Sequence, residues 1–178
     1  MARARRVRGI RPDGRLRANA RRILAVRIAE MHERDAAVRD PDNVTDLHDM
    51  RIACKRVRYL LESFRDAFEV DLGPFLTEIR DLQETLGDIH DCDVQVPLLE
   101  RHLIALAVAD ATGDGPERDA AQAGGVRPAD ERPGVVALIA LRRRRRIERY
   151  DDFLGTWDRL AAEGFRPRLE EALGIRRA

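Results

Sequence analysis

A histidine and three cations recur at helical spacing within LHDMRIACKRVRYLLESF, residues 47–64. An α-helix advances about 100° per residue, so His48, Arg51, Lys55 and Arg58 gather within roughly a quarter of its circumference. A guanidinium fork takes phosphate oxygens two at a time, while an ammonium or a protonated imidazole acts as a point charge. A row of such groups along one helix edge suits a linear polyanion better than a single small ligand. Lys55 is the one lysine in a chain otherwise supplied with arginine.

The residues between those cations decide what the helix can do. Leu47, Met50, Cys54, Val57, Leu61, Phe64 and Phe68 form a separate apolar stripe on the neighbouring face, so the helix docks on a core and keeps its charged row at the edge. Two other predicted helices carry cations on or near apolar faces. The first, 15–37, groups Leu16, Ala20, Ile23, Leu24 and Met31, with Arg27 in their midst and Arg22 added on helical phase. The fifth, about 134–163, groups Val135, Ile139, Tyr150, Phe153, Trp157 and Leu160, with Arg142, Arg143 and Arg146 on or beside that face. Burying an unpaired guanidinium costs several kcal/mol, so these side chains must pair with acids, reach water or bind an anion. Three such helices point to a positively charged groove or channel.

The rest of the chain reads as scaffold. Residues 1–14 are expected to be a disordered basic arm ending in the breakers Pro12 and Gly14, and 15–178 a single helical domain. Thr45 or Asp46 is placed to cap the second helix, and Gly73-Pro74 resets the chain after it ends near Glu69. A third helix, 74–86, is periodic at Phe75, Ile79, Leu82 and Leu86, with Gly87 as its C-cap. Asp91 or Asp93 then opens a fourth, which tolerates Pro97 in its first turn. Residues 110–134, rich in Gly, Pro, Asp and Ala, predict a mobile surface loop, and 165–178 a short last helix. No strand-like alternation occurs. The expected architecture is an all-α bundle of about five principal helices.

Composition agrees. The 178 residues suffice for one domain with a real core; 44% are hydrophobic, 37% charged and only 4% aromatic, a profile of helical bundles rather than sandwiches. Net charge is +1, so only its distribution speaks for a polyanion. Residues 3–27 hold ten arginines against one acid, Asp13, and Arg142 to Arg146 run without interruption. Cys54 and Cys92 make neither a disulfide framework nor a CxxC pair, and Cys54 belongs to the core. Without a membrane-spanning run or a secretory signal pattern, the cytoplasm is the expected compartment.

Other chemistries fit less well. Most charge rows on helices are solvated faces with i,i+4 partners, here Arg58 with Glu62. The order His32, His48, Asp49, Asp93 imitates that of the HD superfamily of metal-dependent phosphohydrolases, but the cations sharing the His48 face would repel a divalent metal. His90, Cys54 and Cys92 lack paired zinc-ligand spacing, and no serine or cysteine nucleophile motif is present. No cofactor or metal is therefore expected. Nucleic-acid binding through the arm and the Arg142–Arg146 run lacks a recognised motif and aromatics for base stacking.

The segment 47–64, followed by LQETLGDIHDCDV at 82–94, resembles the CHAD family, the conserved histidine α-helical domain. The hallmark is a helix opening with His-x-x-Arg and running into a Lys/Arg-rich turn, then a Leu-Gly-x-x-x-Asp turn. ARRILAVRIAEM and the stretch from Arg142 to Trp157 are similar to flanking helices of the family, so the likeness covers about 15–163. It implies an all-helical domain that binds inorganic polyphosphate along a basic surface or cavity, without catalysis of its own. It also implies work beside polyphosphate-metabolising enzymes such as CYTH triphosphate-tunnel proteins, and association with polyphosphate granules. Carried over by motif, the binding residues are His48, Arg51, Lys55 and Arg58; Arg22, Arg27, Arg142, Arg143 and Arg146 are added on phase alone. Arg56 points elsewhere. The family domain has two pseudo-symmetric halves, and this chain resembles one half to two-thirds of it. Either it pairs as a homodimer or it keeps a shallower site.

Overall fold

The computed structural model describes residues 4–112 and 130–175. Among them the chain is helical, with no strand. The helices are α1 (Leu16–His32), α2 (Val44–Ser63), α3 (Gly73–Thr112), α4 (Arg132–Ala162) and α5 (Phe165–Ala172), with 3₁₀ turns at Ala37–Arg39 and Arg65–Ala67. The expected all-α class holds, but the elements are divided differently.

The largest difference is α3. The sequence predicts two helices broken at Gly87; instead a single helix of 40 residues passes through Gly87 and Pro97. Its apolar positions explain why. Leu72, just before the helix, and Leu76, Ile79, Leu82, Leu86, Ile89 and Cys92 within it are all buried at spacings of three or four, so the stripe continues unbroken past the glycine. Each such side chain stabilises by about 1.5–3 kcal/mol when fully buried, against about 1 kcal/mol lost to a helical glycine. Packing outweighs propensity, and Asp91 and Asp93 lie inside the helix rather than at a start.

Smaller corrections concern the ends. α2 is capped by Asn43, whose side-chain oxygen accepts from the Asp46 N–H at 3.2 Å, rather than by Thr45 or Asp46. α1 stops at His32 rather than 37, and α2 stops at Ser63, where the chain turns so that Phe68 can reach the core. The arm expected to be disordered over 1–14 is non-helical over 4–14 but tied to α1. The Arg5 N–H donates to Glu30 at 2.5 Å, and Arg11 and Asn19 exchange two bonds of 3.1 and 2.6 Å. Of the loop predicted at 110–134, the two ends belong to α3 and α4, and 113–129 lie outside the described residues, as do 1–3 and 176–178.

The chain divides into two compact units. The first comprises 1–90 and 149–178 and contains the main core: Leu24, Ile28 and Met31 of α1, Met50, Cys54, Val57 and Leu61 of α2, Ile79, Leu82 and Leu86 of α3, and Phe153, Trp157 and Phe165. Burial pushes the Cys54 thiol up to about 12, so it remains a neutral apolar filler. Polar ties close the far side: Tyr150 donates to the Val38 carbonyl at 3.1 Å and Trp157 to Asp35 at 2.7 Å. Arg39 bonds Asp158 at 2.7 Å, and its guanidinium is held above its ordinary value by that bond first and by Asp35 next.

The second unit, 91–148, is a helical hairpin of the last part of α3 and the first part of α4. Arg143 bonds Glu100 at 2.5 Å and Arg146 bonds Asp93, so the two helical arms of the hairpin run antiparallel. Val94, Leu98, Ile104, Val108, Val136, Leu141 and Ile147 are exposed on it.

Candidate anion-binding site

The basic row of α2 lies in the first unit, along a seam with α3. Three levels of contact fix the antiparallel register. His48 Nδ1 and His90 Nδ1 are 3.3 Å apart, with ring centroids separated by 4.6 Å. One turn on, Arg51 Nε lies 3.7 Å from the point where a side chain on Gly87 would begin. Further along, Arg58 Nε donates to Gln83 Oε1 at 3.0 Å. The residues that α3 presents to the row are thus a histidine, a glycine and a glutamine. None is an acid.

The row therefore keeps much of its charge uncompensated. Among the described residues neither Arg51 nor Lys55 has a carboxylate partner, and Arg51 Nε is a buried donor without an acceptor. A buried unsatisfied donor costs about 1–3 kcal/mol, a cost that an incoming acceptor would remove. Lys55 Nζ lies 5.7 Å and Arg58 Cζ 4.6 Å from the ring centre of half-exposed Tyr59. The Arg58–Glu62 contact expected from spacing is present at 3.5 Å, at the end of the row.

The cations added on phase alone fare differently. Arg27 gives both ends of its fork to neighbours, contacting the two Glu30 carboxylate oxygens at 2.7 Å and the Arg5 carbonyl at 2.9 Å. It is a strut for the arm, and its inward position is explained by pairing rather than by a ligand. Arg22 is exposed and donates to the Ala18 carbonyl at 3.3 Å, beside Gly9 of the arm. In the second unit Arg143 pairs with Glu100, Arg144 with Glu148 at 2.9 Å, and Arg146 with Asp93. Arg142 keeps a buried Nε with no acceptor. Asp93 and Glu100 sit seven residues apart on one face of α3, a spacing the sequence displayed and that pairs them with Arg146 and Arg143.

The residues an HD-type centre would need are dispersed among other partners. His32 packs against Trp157 and Phe165, with ring centroids at 5.1 and 6.4 Å; Asp49 pairs with Arg34 at 3.2 Å; Asp93 holds Arg146. Among the described residues no three His, Cys, Asp or Glu side chains are grouped to hold a metal ion.

An all-helical protein with a cationic row set into an interhelical seam is the class that fold and site define. The CHAD domain family matches residues 2–100, more than half of the chain, and the protein belongs to that family. No curated protein and no solved structure matches it. The match takes in the arm, α1, α2 and most of α3; the likeness drawn over 15–163 extends beyond it into α4.

Proposed function

We propose that the protein binds inorganic polyphosphate along the His48–Arg58 row of α2 and does not turn it over. Family membership supports the ligand class, since CHAD domains are associated with polyphosphate. The observation that carries the reading to particular residues is the seam: cations spaced along one helix, opposed by Gln83, Gly87 and His90 rather than by acids, with Arg51 Nε left over. Each phosphate neutralised releases condensed counterions, so affinity falls steeply with salt. Only a polymer spans several cations at once, so long-chain polyphosphate binds more tightly than orthophosphate or ATP. A titration of these ligands beside duplex DNA at one salt concentration tests this; equal affinity for DNA would favour a nucleic-acid role. Incubation with polyphosphate and Mg²⁺ or Mn²⁺ should release no phosphate. Turnover lost on His48→Ala would mean a hydrolase.

Two finer points belong to the same reading. Among the described residues no helix is long and apolar enough to cross a membrane; on this reading the protein works in the cytoplasm beside polyphosphate granules and the enzymes that handle them. The apolar side chains exposed on the 91–148 hairpin give a second copy something to cover, so a homodimer is expected, tightened by polyanion. Mass measurement with and without polyphosphate checks it; a strict monomer in both that still binds tightly removes the dimer.

A further inference from the structure

We propose that the arm docked along α1 is a second phosphate-binding surface, which takes the part of a long polyphosphate that extends beyond the α2 row. This rests on the polyphosphate reading and gives the arm a share in it. The arm is tied to α1 at points spread over its length. Arg5 pairs with Glu33, its N–H donates to Glu30, and its carbonyl accepts from Arg27. The point where a side chain on Gly9 would begin lies 3.6 Å from Arg22 Nε, and the Arg11 backbone exchanges two bonds with Asn19. From Glu30 back to Arg22 the helix spans about 12 Å, which the arm covers in the four steps from Arg5 to Gly9. That is about 3 Å per residue, close to full extension.

Extended backbone sends alternate side chains to opposite sides. Arg5 is drawn to the acids of α1 and Val7 is half-buried, whereas Arg6 and Arg8 are exposed. Arg11, Arg15 and Arg22 are exposed as well, and among the described residues none of these five cations has a carboxylate partner. The nearby acids are spent on the anchors: Glu30 on Arg27 and the Arg5 N–H, Glu33 on Arg5. Docking thus gathers like charges that a free arm would keep apart, and a polyanion laid over them relieves the repulsion. No aromatic side chain lies among residues 4–31 to stack on a base, so a bare phosphate chain suits this surface better than a nucleic acid.

The arm is also within reach of the row. Arg5 lines one cavity with Asp49, Ala53 and Arg56 of α2. By helical phase these three lie about 80–140° from His48, on the side away from Arg51 and Arg58. Row and arm therefore border the outward face of α2 from its two sides. A chain leaving the row crosses about one helix diameter, roughly 10–12 Å, to meet the arm.

The test is titration of the full chain with two ligands at about 0.15 M salt, where distant charges are screened. One is an oligophosphate just long enough for the row, about 15 Å of helix from His48 to Arg58; the other is long-chain polyphosphate. Arg6→Ser, Arg8→Ser and Arg11→Ser are combined in one variant, which loses charge but keeps the main-chain ties of the arm. Affinity for the long chain should fall at least about tenfold, while affinity for the short chain stays within about twofold of wild type. The long-chain slope of log affinity against log salt should flatten by about 2, at ~0.7 per contact. Equal losses for both chains overturn the proposal, since they report only a general loss of charge, and so does no loss for either; the row reading stands in both cases. Binding to phosphatidylserine vesicles that the variant loses, with long-chain affinity unchanged, assigns the arm to a lipid surface instead. Wild-type protein that binds neither chain removes the row reading and the arm together.

Discussion

Two arginine-rich stretches of this chain lie on different helices and differ in what α3 sets opposite them. Against the α2 row it presents Gln83, Gly87 and His90; against the Arg142–Arg146 run it presents Asp93 and Glu100. The row has fewer cations at wider spacing, yet among the described residues Arg51 and Lys55 have no acid partner, whereas Arg143, Arg144 and Arg146 of the denser run each have one. Charge density along a sequence is thus a poor guide to an anion site. The opposing face decides whether a guanidinium is a ligand or a strut.

Substituting Arg51, Lys55 and Arg58 together by Ala tests this most severely. At ~1.5–3 kcal/mol per charge-assisted hydrogen bond, polyphosphate affinity should fall by several kcal/mol. Replacing Arg142, Arg143 and Arg144 together should cost less than about 1 kcal/mol of binding, because two of those charges are already balanced. Equal losses in the two triple variants, measured by titration at fixed salt, would break the contrast.

Gly87→Asp converts the row into the other kind of region. A Cβ there makes only ordinary contact, so the helix should survive, as circular dichroism would report. The new carboxylate beside Arg51 should cost polyphosphate binding about 1.5–3 kcal/mol, one charged interaction. The reverse conversion, Asp93→Ala, leaves Arg146 without its acid in a largely covered site, with side-chain exposures of 17% and 9% for the pair. Here stability rather than binding should suffer, by roughly 1–3 kcal/mol in urea unfolding, while Arg51→Ala leaves the midpoint nearly unmoved. The smallest effect is on salt dependence: losing three row cations should flatten the slope of log affinity against log salt by about 2, at ~0.7 per contact.

How far these regions could be read from sequence follows from which contacts are local. The α2 row and its apolar stripe were legible because both depend on the phase of a single helix. The acids that neutralise Arg143 and Arg146 left a readable sign, two carboxylates seven residues apart on α3. Gly87 and Pro97 misled about α3, since local preference for a break yields to a stripe that keeps burying Leu86, Ile89 and Cys92. Arg27 resembled a ligand because Glu30 and the Arg5 carbonyl, one of them brought by the returning arm, complete its fork only in three dimensions. His90 and Gln83 were hidden for the same reason. Their roles depend on the register of α3 against α2, which no single helix encodes.

That register has a consequence for how the gene can vary. Gln83 and His90 stand seven residues apart, as do His48 and Lys55, and Arg51 and Arg58, so both sides of the seam keep time over two turns. One codon inserted between Gln83 and His90 would rotate the histidine by about 100° and advance it by about 1.5 Å relative to the glutamine. Whichever end the helix then honoured, the other would be out of step. Four inserted codons would nearly restore the angle but still displace one end by about 6 Å. Substitutions that exchange one side chain for another can drift here with graded effects. Changes of length cannot, and natural variants of this segment are expected to differ in letters and not in spacing.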